Sequence, residues 1–265
     1  NYGGVIVPPL FIENFPKKSQ RKIIKACIRF LNSLVTKSKG EVWRSSELSA
    51  KVNVSQWHQL CLENGAVLDK VNYELYVDLS LPINQIRSFI RKSYRPLVSS
   101  GLKKWTVSVM DEYCENIWSD FMTLHKHVAG RVTRPIESWD IQKNAIKAGD
   151  AFLVYVSNSE GKMVGGGYFD MSVNEGNYSV ATYDKSLMDE PLGHMVQYQA
   201  ILTLKEKGRS LYYIGSRFYS ENLPSISKKL VDITSFKAGF STFMVPNVVL
   251  MFSSKDKNNQ HKNKE

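Results

Sequence analysis

The chain has few cysteines, and the three that it has are far apart. Cys27, Cys61 and Cys114 show neither the close pairing of a zinc site nor the density of a small disulfide-bonded domain. His125 and His127 are two residues apart, which places them on different faces of a helix, and no carboxylate completes a ligand set. The sequence therefore predicts reduced, buried thiols and no metal site.

Long apolar runs are also missing. No segment approaches the roughly 20 apolar residues of a membrane-spanning helix, and the first residues lack the pattern of a signal peptide. We therefore expect a cytoplasmic protein. The G-x-S-x-G motif of the Ser-His-Asp hydrolases is absent as well, which argues against that class of enzyme. Because the chain begins at Asn1 and runs directly into an apolar segment at 5–10, we also expect that an upstream portion is missing.

Basic residues outnumber acidic ones by 35 to 25, and they are unevenly placed. One acid-free stretch contains Lys17, Lys18, Arg21, Lys22, Lys25, Arg29, Lys37 and Lys39, and a second stretch contains Arg87, Arg91, Lys92, Arg95, Lys103 and Lys104. Two interpretations stay open. The stretches are either solvated helix faces or a basic groove for phosphates on a sugar nucleotide, a lipid-linked precursor or RNA.

The first third of the chain predicts a strand, a helix, a strand, a helix and a strand. Apolar spacing indicates a helix at 20–35 that Ser19 can cap, and Ser55 can cap a second helix that runs to Glu63. Strands are predicted at 41–45 and, from alternation, at 73–79. A basic helix from 84 to about 99, which Pro96 must end or kink, is the predicted domain boundary.

The remainder has a longer order of elements. Periodicity predicts a strand at 105–109, helices at 118–127 and 135–147, and strands at 152–156, 163–171 and 178–183. A helix at 192–207, a strand at 211–214, a helix near 225–230 and strands at 242–245 and 248–252 follow. This is the element order of a GNAT fold. We expect an α/β (α+β) protein of two tandem GNAT-like units, the first truncated at its start. The predicted domains are 1–83, a linking basic helix at 84–103, a complete second unit at 104–252 and a disordered tail at 253–265.

Several short motifs appear in a recognisable sequence order. They are Tyr2-Gly3-Gly4, His125, Ala129-Gly130-Arg131-Val132-Thr133-Arg134, Ala151-Phe152-Leu153-Val154, Val164-Gly165-Gly166-Gly167, His194, Tyr213-Ile214-Gly215 and Phe236-Lys237-Ala238-Gly239-Phe240. With the paired units, these motifs resemble the FemABX family of cell-envelope acyltransferases, firmly in the second unit and more loosely in the first.

The resemblance implies direct attack of a substrate amine on an activated acyl carbonyl, without a covalent enzyme intermediate. It implies aminoacyl-tRNA as co-substrate, as in the best-known members, with no tightly bound cofactor, and acyl-CoA stays open as the other donor. The acceptor would be a phosphate-bearing envelope precursor, peptidoglycan or sugar-linked, met at the inner face of the membrane. Binding to tRNA fits this reaction, whereas binding to DNA does not.

Lys237 matches the functional lysine of the family and, as a cation, can neutralise a phosphate or a developing oxyanion. Phe236 beside it is a candidate substrate contact. The alternative is that Phe236 and Phe240 are core residues of a final strand and that Lys237 is solvated. His194, at the start of the helix at 192–207, is a candidate acid or base, and packing or capping there is the alternative.

The segment before that helix departs from acetyl-CoA enzymes of the GNAT superfamily. Those enzymes bind pyrophosphate on a glycine-rich turn at the helix start, where this chain has only Gly193 and carries Asp189 and Glu190. Because these carboxylates would repel a pyrophosphate, the departure counts against acetyl-CoA.

Five further residues are candidate substrate contacts. Arg131 and Arg134 precede a helix and can hold a carboxylate or phosphate, although ion pairs with Glu137 or Asp140 explain them equally well. Arg217 follows a short strand, where ligand-binding residues are common. Tyr183 and Tyr213 lie on neighbouring strands and could line one cleft, although tyrosines in sheets usually pack. The last candidate segment is Gly165-Gly166-Gly167. It lies within a predicted strand, which indicates a bulge or a close approach of substrate.

Two other functions remain open. One is an acyl-CoA-dependent N-acyltransferase of the GNAT superfamily. The other is a catalytically idle basic module that binds RNA or anionic surfaces through salt-sensitive electrostatics.

Overall fold

The computed structural model describes residues 5–6, 15–37, 42–48, 55–220 and 226–253. The chain forms two compact units, Asn1–Tyr73 with Val245–Glu265, here the first unit, and Glu74–Met244, here the second unit. The first five elements are β1 Val5–Ile6, α1 Lys17–Lys37, β2 Val42–Leu48, α2 Gln56–Glu63 and β3 Val67–Asp78. They continue with α3 Ile83–Phe89, α4 Tyr94–Lys104, β4 Thr106–Met110, α5 Glu115–Ala129, α6 Ile136–Ala148, β5 Ala151–Ser157, β6 Met163–Met171, β7 Glu175–Tyr183, α7 Leu192–Glu206, β8 Leu211–Arg217, α8 Lys228–Ala238 and β9 Phe243–Ser253.

In the first unit, strands lie in the order β1, β2, β9, β3. β1 is parallel to β2, and β2 is antiparallel to β9 along its whole length. Ile24 and Ile28 of α1 pack with Trp57 and Leu60 of α2 and with Leu250 of β9, and all five are buried. The predicted cap of α2 is confirmed, because the Ser55 hydroxyl accepts a hydrogen bond of 3.1 Å from the amide of His58.

In the second unit, the order is β3, β8, β7, β6, β5, β4. The strands β4 to β7 are antiparallel, and β8 is parallel to β7. Alternate residues of β6 serve different cores: Tyr168 packs with Phe121 of α5 and Trp139 of α6, whereas Phe169 packs with Ile201 of α7. Because successive side chains of a strand point to opposite faces, α5 and α6 cover one face of the sheet and α7 the other.

Several predicted elements differ from the observed ones. The region 84–103 is not one helix but α3 and α4, and both lie within the second unit. Pro96 lies in the first turn of α4, where a missing amide costs no helical hydrogen bond, so the chain breaks before Pro96. The two last strands are one strand, β9.

The helix predicted near 225–230 instead runs from Lys228 to Ala238. The Ser227 hydroxyl caps it by accepting a hydrogen bond from the amide of Leu230, and Gly239 follows its last residue. Residues 221–225, the tail from 254 and the Tyr2-Gly3-Gly4 motif lie outside the described residues.

None of the helices in the described part of the chain is long and apolar enough to cross a membrane. Within the same residues, no group of three or more His, Cys, Asp or Glu side chains is placed to hold a metal ion.

Candidate functional site

β7 and β8 separate after a short stretch of pairing, and this opens a wedge in the sheet of the second unit. Residues 175–177 pair with 211–213 in parallel. Beyond them β7 continues to Tyr183 and β8 to Arg217, with no further pairing of these two strands in the described ranges. Side chains of α7 and α8 reach this wedge, so it is the place where groups from four elements meet.

The Phe236–Phe240 motif lies at the C-terminal end of α8, so its placement in a final strand was wrong, whereas Phe240 is a buried core residue as that alternative held. Phe236 and Phe240 pack against Tyr94 of α4 and His194 of α7, with ring centroids 5.0–6.0 Å apart, and we call these four residues the aromatic cluster. A Cβ atom on Gly239 would lie 2.2 Å from the Tyr94 ring. Only glycine therefore permits this contact, which explains why the motif contains one.

His194 sits in the aromatic cluster with the Tyr94 and Phe236 rings edge-on to it. Burial, and then the positive charge of Arg91, lowers the pKa of His194 to about 4, so the imidazole is neutral near pH 7. Its Nε2 atom is buried and has no hydrogen-bond partner among the residues described. The packing alternative for His194 is thus observed, and a role as acid or base remains untested.

Lys237 points from the end of α8 into the wedge. Its Nζ atom lies 5.0 Å from the centroid of the Tyr178 ring of β7, within range of a cation–π contact. Burial lowers the pKa of Lys237. No hydrogen bond or ion pair joins this ammonium to another described residue, so it lacks the counter-charge that a half-buried cation usually has.

Gly215 of β8 makes room for that ammonium. The residue has a φ of +127°, and a Cβ atom there would lie 2.9 Å from Lys237 Nζ. Both the backbone conformation and the close approach favour glycine. The Gly215 position is therefore part of the same arrangement as Lys237.

A chain of partly or fully buried polar groups lies beneath the wedge. The hydroxyls of Tyr178 and Tyr183 are 3.2 Å apart, and the Tyr212 hydroxyl donates to Oε1 of Gln197 at 2.6 Å. A Cβ atom on Gly165 would lie 2.7 Å from the Tyr183 ring, so this glycine of the Gly165–Gly167 run admits a neighbouring side chain. The register shift of β6 against β7 falls nearby, between Tyr168 and Phe169.

The start of α7 is less repulsive to anions than its sequence indicates. Glu190 is paired with Lys104 and also accepts a hydrogen bond of 3.3 Å from the Trp105 indole. The hydrogen bond from Lys104 lowers the pKa of the Glu190 carboxyl. One of the two carboxylates on which the argument against acetyl-CoA rests is thus neutralised locally.

The other candidate residues lie apart from the aromatic cluster. Arg131 and Arg134 line a separate cleft between α5 and α6. Arg217 Nη1 donates at 3.1 Å to both the Val231 carbonyl and the Thr234 hydroxyl of α8. The Tyr213 hydroxyl donates at 2.7 Å to Glu74 of β3. The structure thus brings together Lys237, His194, Phe236 and Tyr183.

Three residues of this arrangement were not among the predicted site residues. Tyr94 meets the Phe236–Phe240 motif across more than 140 residues of sequence, and nothing in the local pattern indicates that contact. Tyr178 and Gly215 had weak signals, a tyrosine pair on one strand and a glycine directly after an apolar strand.

No protein-family model and no curated protein matches the sequence. Solved structures do match. FemX superposes with a TM-score of 0.67 and 13% identity, covering 91% of this chain and 79% of FemX. The structure of L-PGS from Bacillus licheniformis gives 0.59 and 13%, covering 91% and 76%. A tandem GNAT protein from the clavulanic acid biosynthesis pathway gives 0.51 and 10%, covering 86% and 69%.

At such low identity the likeness shows the fold alone. The order of elements, the wedge between β7 and β8 and these superpositions agree with one another. The chain therefore has the tandem GNAT-type fold of FemX, as its motifs predicted.

Proposed function

We propose that the chain is an acyl or aminoacyl transferase that forms an amide on an amine of a cell-envelope precursor. The observation that carries this proposal is the Lys237 ammonium, which is partly desolvated in the wedge and has no anionic partner among the described residues. A cation held in such a place is preorganised for negative charge that appears only during a reaction.

In the proposed step, the acceptor amine attacks the acyl carbonyl carbon, and a C–N bond forms as the carbonyl oxygen becomes an oxyanion. Lys237 stabilises that oxygen. The intermediate then collapses, the bond to the donor's leaving oxygen or sulfur breaks, and the amine proton passes to the leaving group or to water. The aromatic cluster fixes the end of α8 and hence the position of Lys237.

The donor distinguishes two forms of the proposal. The resemblance of the motifs to the FemABX family favours aminoacyl-tRNA, whereas the tandem GNAT protein of similar fold, whose description mentions AcCoA, favours an acyl-CoA. The pairing of Glu190 with Lys104 at the start of α7 keeps the second donor in consideration.

The test is a transfer assay with purified protein, an amine-bearing peptidoglycan precursor, and either charged tRNA or acetyl-CoA as donor. We expect amide product with one donor and a loss of about 100-fold or more in kcat/KM for Lys237→Ala, from the removal of one oxyanion-stabilising group. Lys162→Ala, which removes an exposed cation from the β5–β6 turn, is the matched control and should retain activity.

Thermal unfolding of each variant shows whether it is folded. Full activity in a folded Lys237→Ala protein removes Lys237 from the mechanism. Absence of product from both donors, together with salt-sensitive binding to RNA, supports the idle basic module instead.

A further inference from the structure

A cleft of about 260 Å³ lies between α5 and α6, where the proposed reaction makes no use of it. Met122, Ile136 and Trp139 form apolar parts of its wall, and His125, Arg131 and Arg134 form polar parts. Small-molecule pockets of roughly 300–1,000 Å³ combine apolar walls with a few placed polar groups, and this cleft has the same combination at a volume just below that range.

The positive charge around the cleft is not neutralised by the protein. Arg131, Arg134 and Lys126 line it, and no ion pair joins any of them to an acidic side chain in the described part of the chain. The ion pairing with Asp140 that the sequence allowed is not seen, because Asp140 pairs with Lys143 at 2.7 Å. No Asp or Glu is among the described residues that line the cleft.

The Arg134 guanidinium lies over the Trp139 ring. The group lies 4.8 Å from the centroid of the Trp139 ring, and Nη1 makes a long hydrogen bond of 3.4 Å to Gln142. Because a guanidinium has five N–H donors, most of them remain for a ligand. His125 lies edge-on to the same indole at 5.1 Å. Burial, and then Arg134, lowers the pKa of His125, so this imidazole is neutral near pH 7 and the positive charge of the cleft comes from its lysine and arginines.

We propose that this cleft binds a carboxylate or phosphate carried on a flat apolar group. Arg131 and Arg134 bind the oxyanion, since planar guanidinium groups match its paired oxygens. Met122 and Ile136 contact the apolar group. The cleft lies between the two helices that cover the face opposite α7, so it is a site separate from Lys237 and independent of acyl transfer.

The test is isothermal titration calorimetry of the intact chain with four probes: phenyl phosphate, benzoate, inorganic phosphate and benzyl alcohol. We expect phenyl phosphate or benzoate to bind at least tenfold more tightly than inorganic phosphate or benzyl alcohol, and the better of the two identifies the oxyanion. Arg134→Lys, which keeps the charge but loses the planar donor pair, should weaken this binding about tenfold. Arg131→Ala should weaken it by a similar factor.

Arg29→Ala is the matched control, because it removes an exposed arginine of α1 in the first unit and should change the affinity less than twofold. Equal weakening in all three arginine variants would show general electrostatic attraction and overturn the proposal. So would an affinity for phenyl phosphate and benzoate no higher than that for inorganic phosphate. Since no acyl donor is present, the outcome does not depend on whether Lys237 takes part in transfer.

Discussion

The two ends of helix α7 differ in whether the polar groups buried there have hydrogen-bond partners. At the C-terminal end, Lys205 Nζ donates to the carbonyl oxygens of Leu79 and Leu81 at 2.7 and 2.8 Å. At the N-terminal end, His194 has an unpartnered Nε2 and lies beside the α8 terminus, where Lys237 faces the ring of Tyr178. The lysine at the C-terminal end has carbonyl acceptors within the protein, whereas the polar groups at the N-terminal end lie among aromatic rings.

This difference separates a structural lysine from a candidate functional one. Both lysines are partly buried near a helix end, and the motif around Lys237 does not reveal that only Lys205 has hydrogen-bond acceptors. A buried donor that is fully bonded contributes to stability, whereas a desolvated one without an acceptor costs stability and persists where a ligand uses it.

The largest expected effect is on the free energy of unfolding, which two matched substitutions should change in opposite directions. Lys205→Met should lower the free energy of unfolding by about 1–3 kcal/mol, because it leaves two carbonyl groups without their donor. Lys237→Met should raise it by about 0.5–2 kcal/mol, because it removes an uncompensated ammonium. Urea denaturation of both variants measures these values. Equal destabilisation by the two substitutions would end the distinction between the two ends of α7.

The next effect concerns His194 and pH. Since its pKa falls from 6.5 to about 4 on folding, the unfolded chain binds a proton over a range in which the folded chain does not. Stability is therefore lost as pH falls from about 6.5 to 4, by about 1–2 kcal/mol after allowance for solvent screening. Comparing denaturation midpoints across this range, His194→Gln should show a smaller loss than the wild type. A pH dependence that stays unchanged in His194→Gln, or that His127→Gln reduces as much, would contradict this.

The smallest expected effect is that of Gly215→Ala. The added methyl group would meet Lys237 Nζ at 2.9 Å and should displace the ammonium, lowering kcat/KM about tenfold. Gly161→Ala is the control, since Gly161 also has a positive φ but no heavy atom within 4 Å of an added Cβ. It places a methyl group at another positive φ, +80° against +127° at Gly215, without touching Lys237. If both variants lose the same activity in the transfer assay, strain and not displacement is the cause.

Much of the fold follows from local pattern. Alternation and helical spacing predicted α1, α2 and the succession from β4 to β8 to within a few residues, because each of these elements carries its own periodicity. The cap predicted for α1 was wrong, since Ser19 lies within the first turn of that helix. The end of α8 was placed wrongly although Ser227 and Gly239 mark its limits. Its apolar residues are few, and aromatic residues at 236 and 240 favour a strand as readily as a helix.

The site was less predictable than the fold. Lys237 was identified through a motif, but its surroundings depend on Tyr94, Tyr178 and Gly215, which are distant from it in sequence. The desolvation of Lys237 and the unpaired state of Arg131 and Arg134 are likewise products of packing. Arg131 and Arg134 could equally have paired with nearby carboxylates, and no local rule decides that outcome.

The pairing of β2 with β9 has a consequence for how the protein is made. Residues 42–48 are hydrogen-bonded to residues 247–253, so about 200 residues of chain are synthesised between the two partners. Closing so long a loop slows folding. On the ribosome, the first unit completes its sheet only after the whole second unit has emerged. Until then β2 lacks this partner strand, and we expect dependence on chaperones and aggregation of truncated chains to be concentrated there.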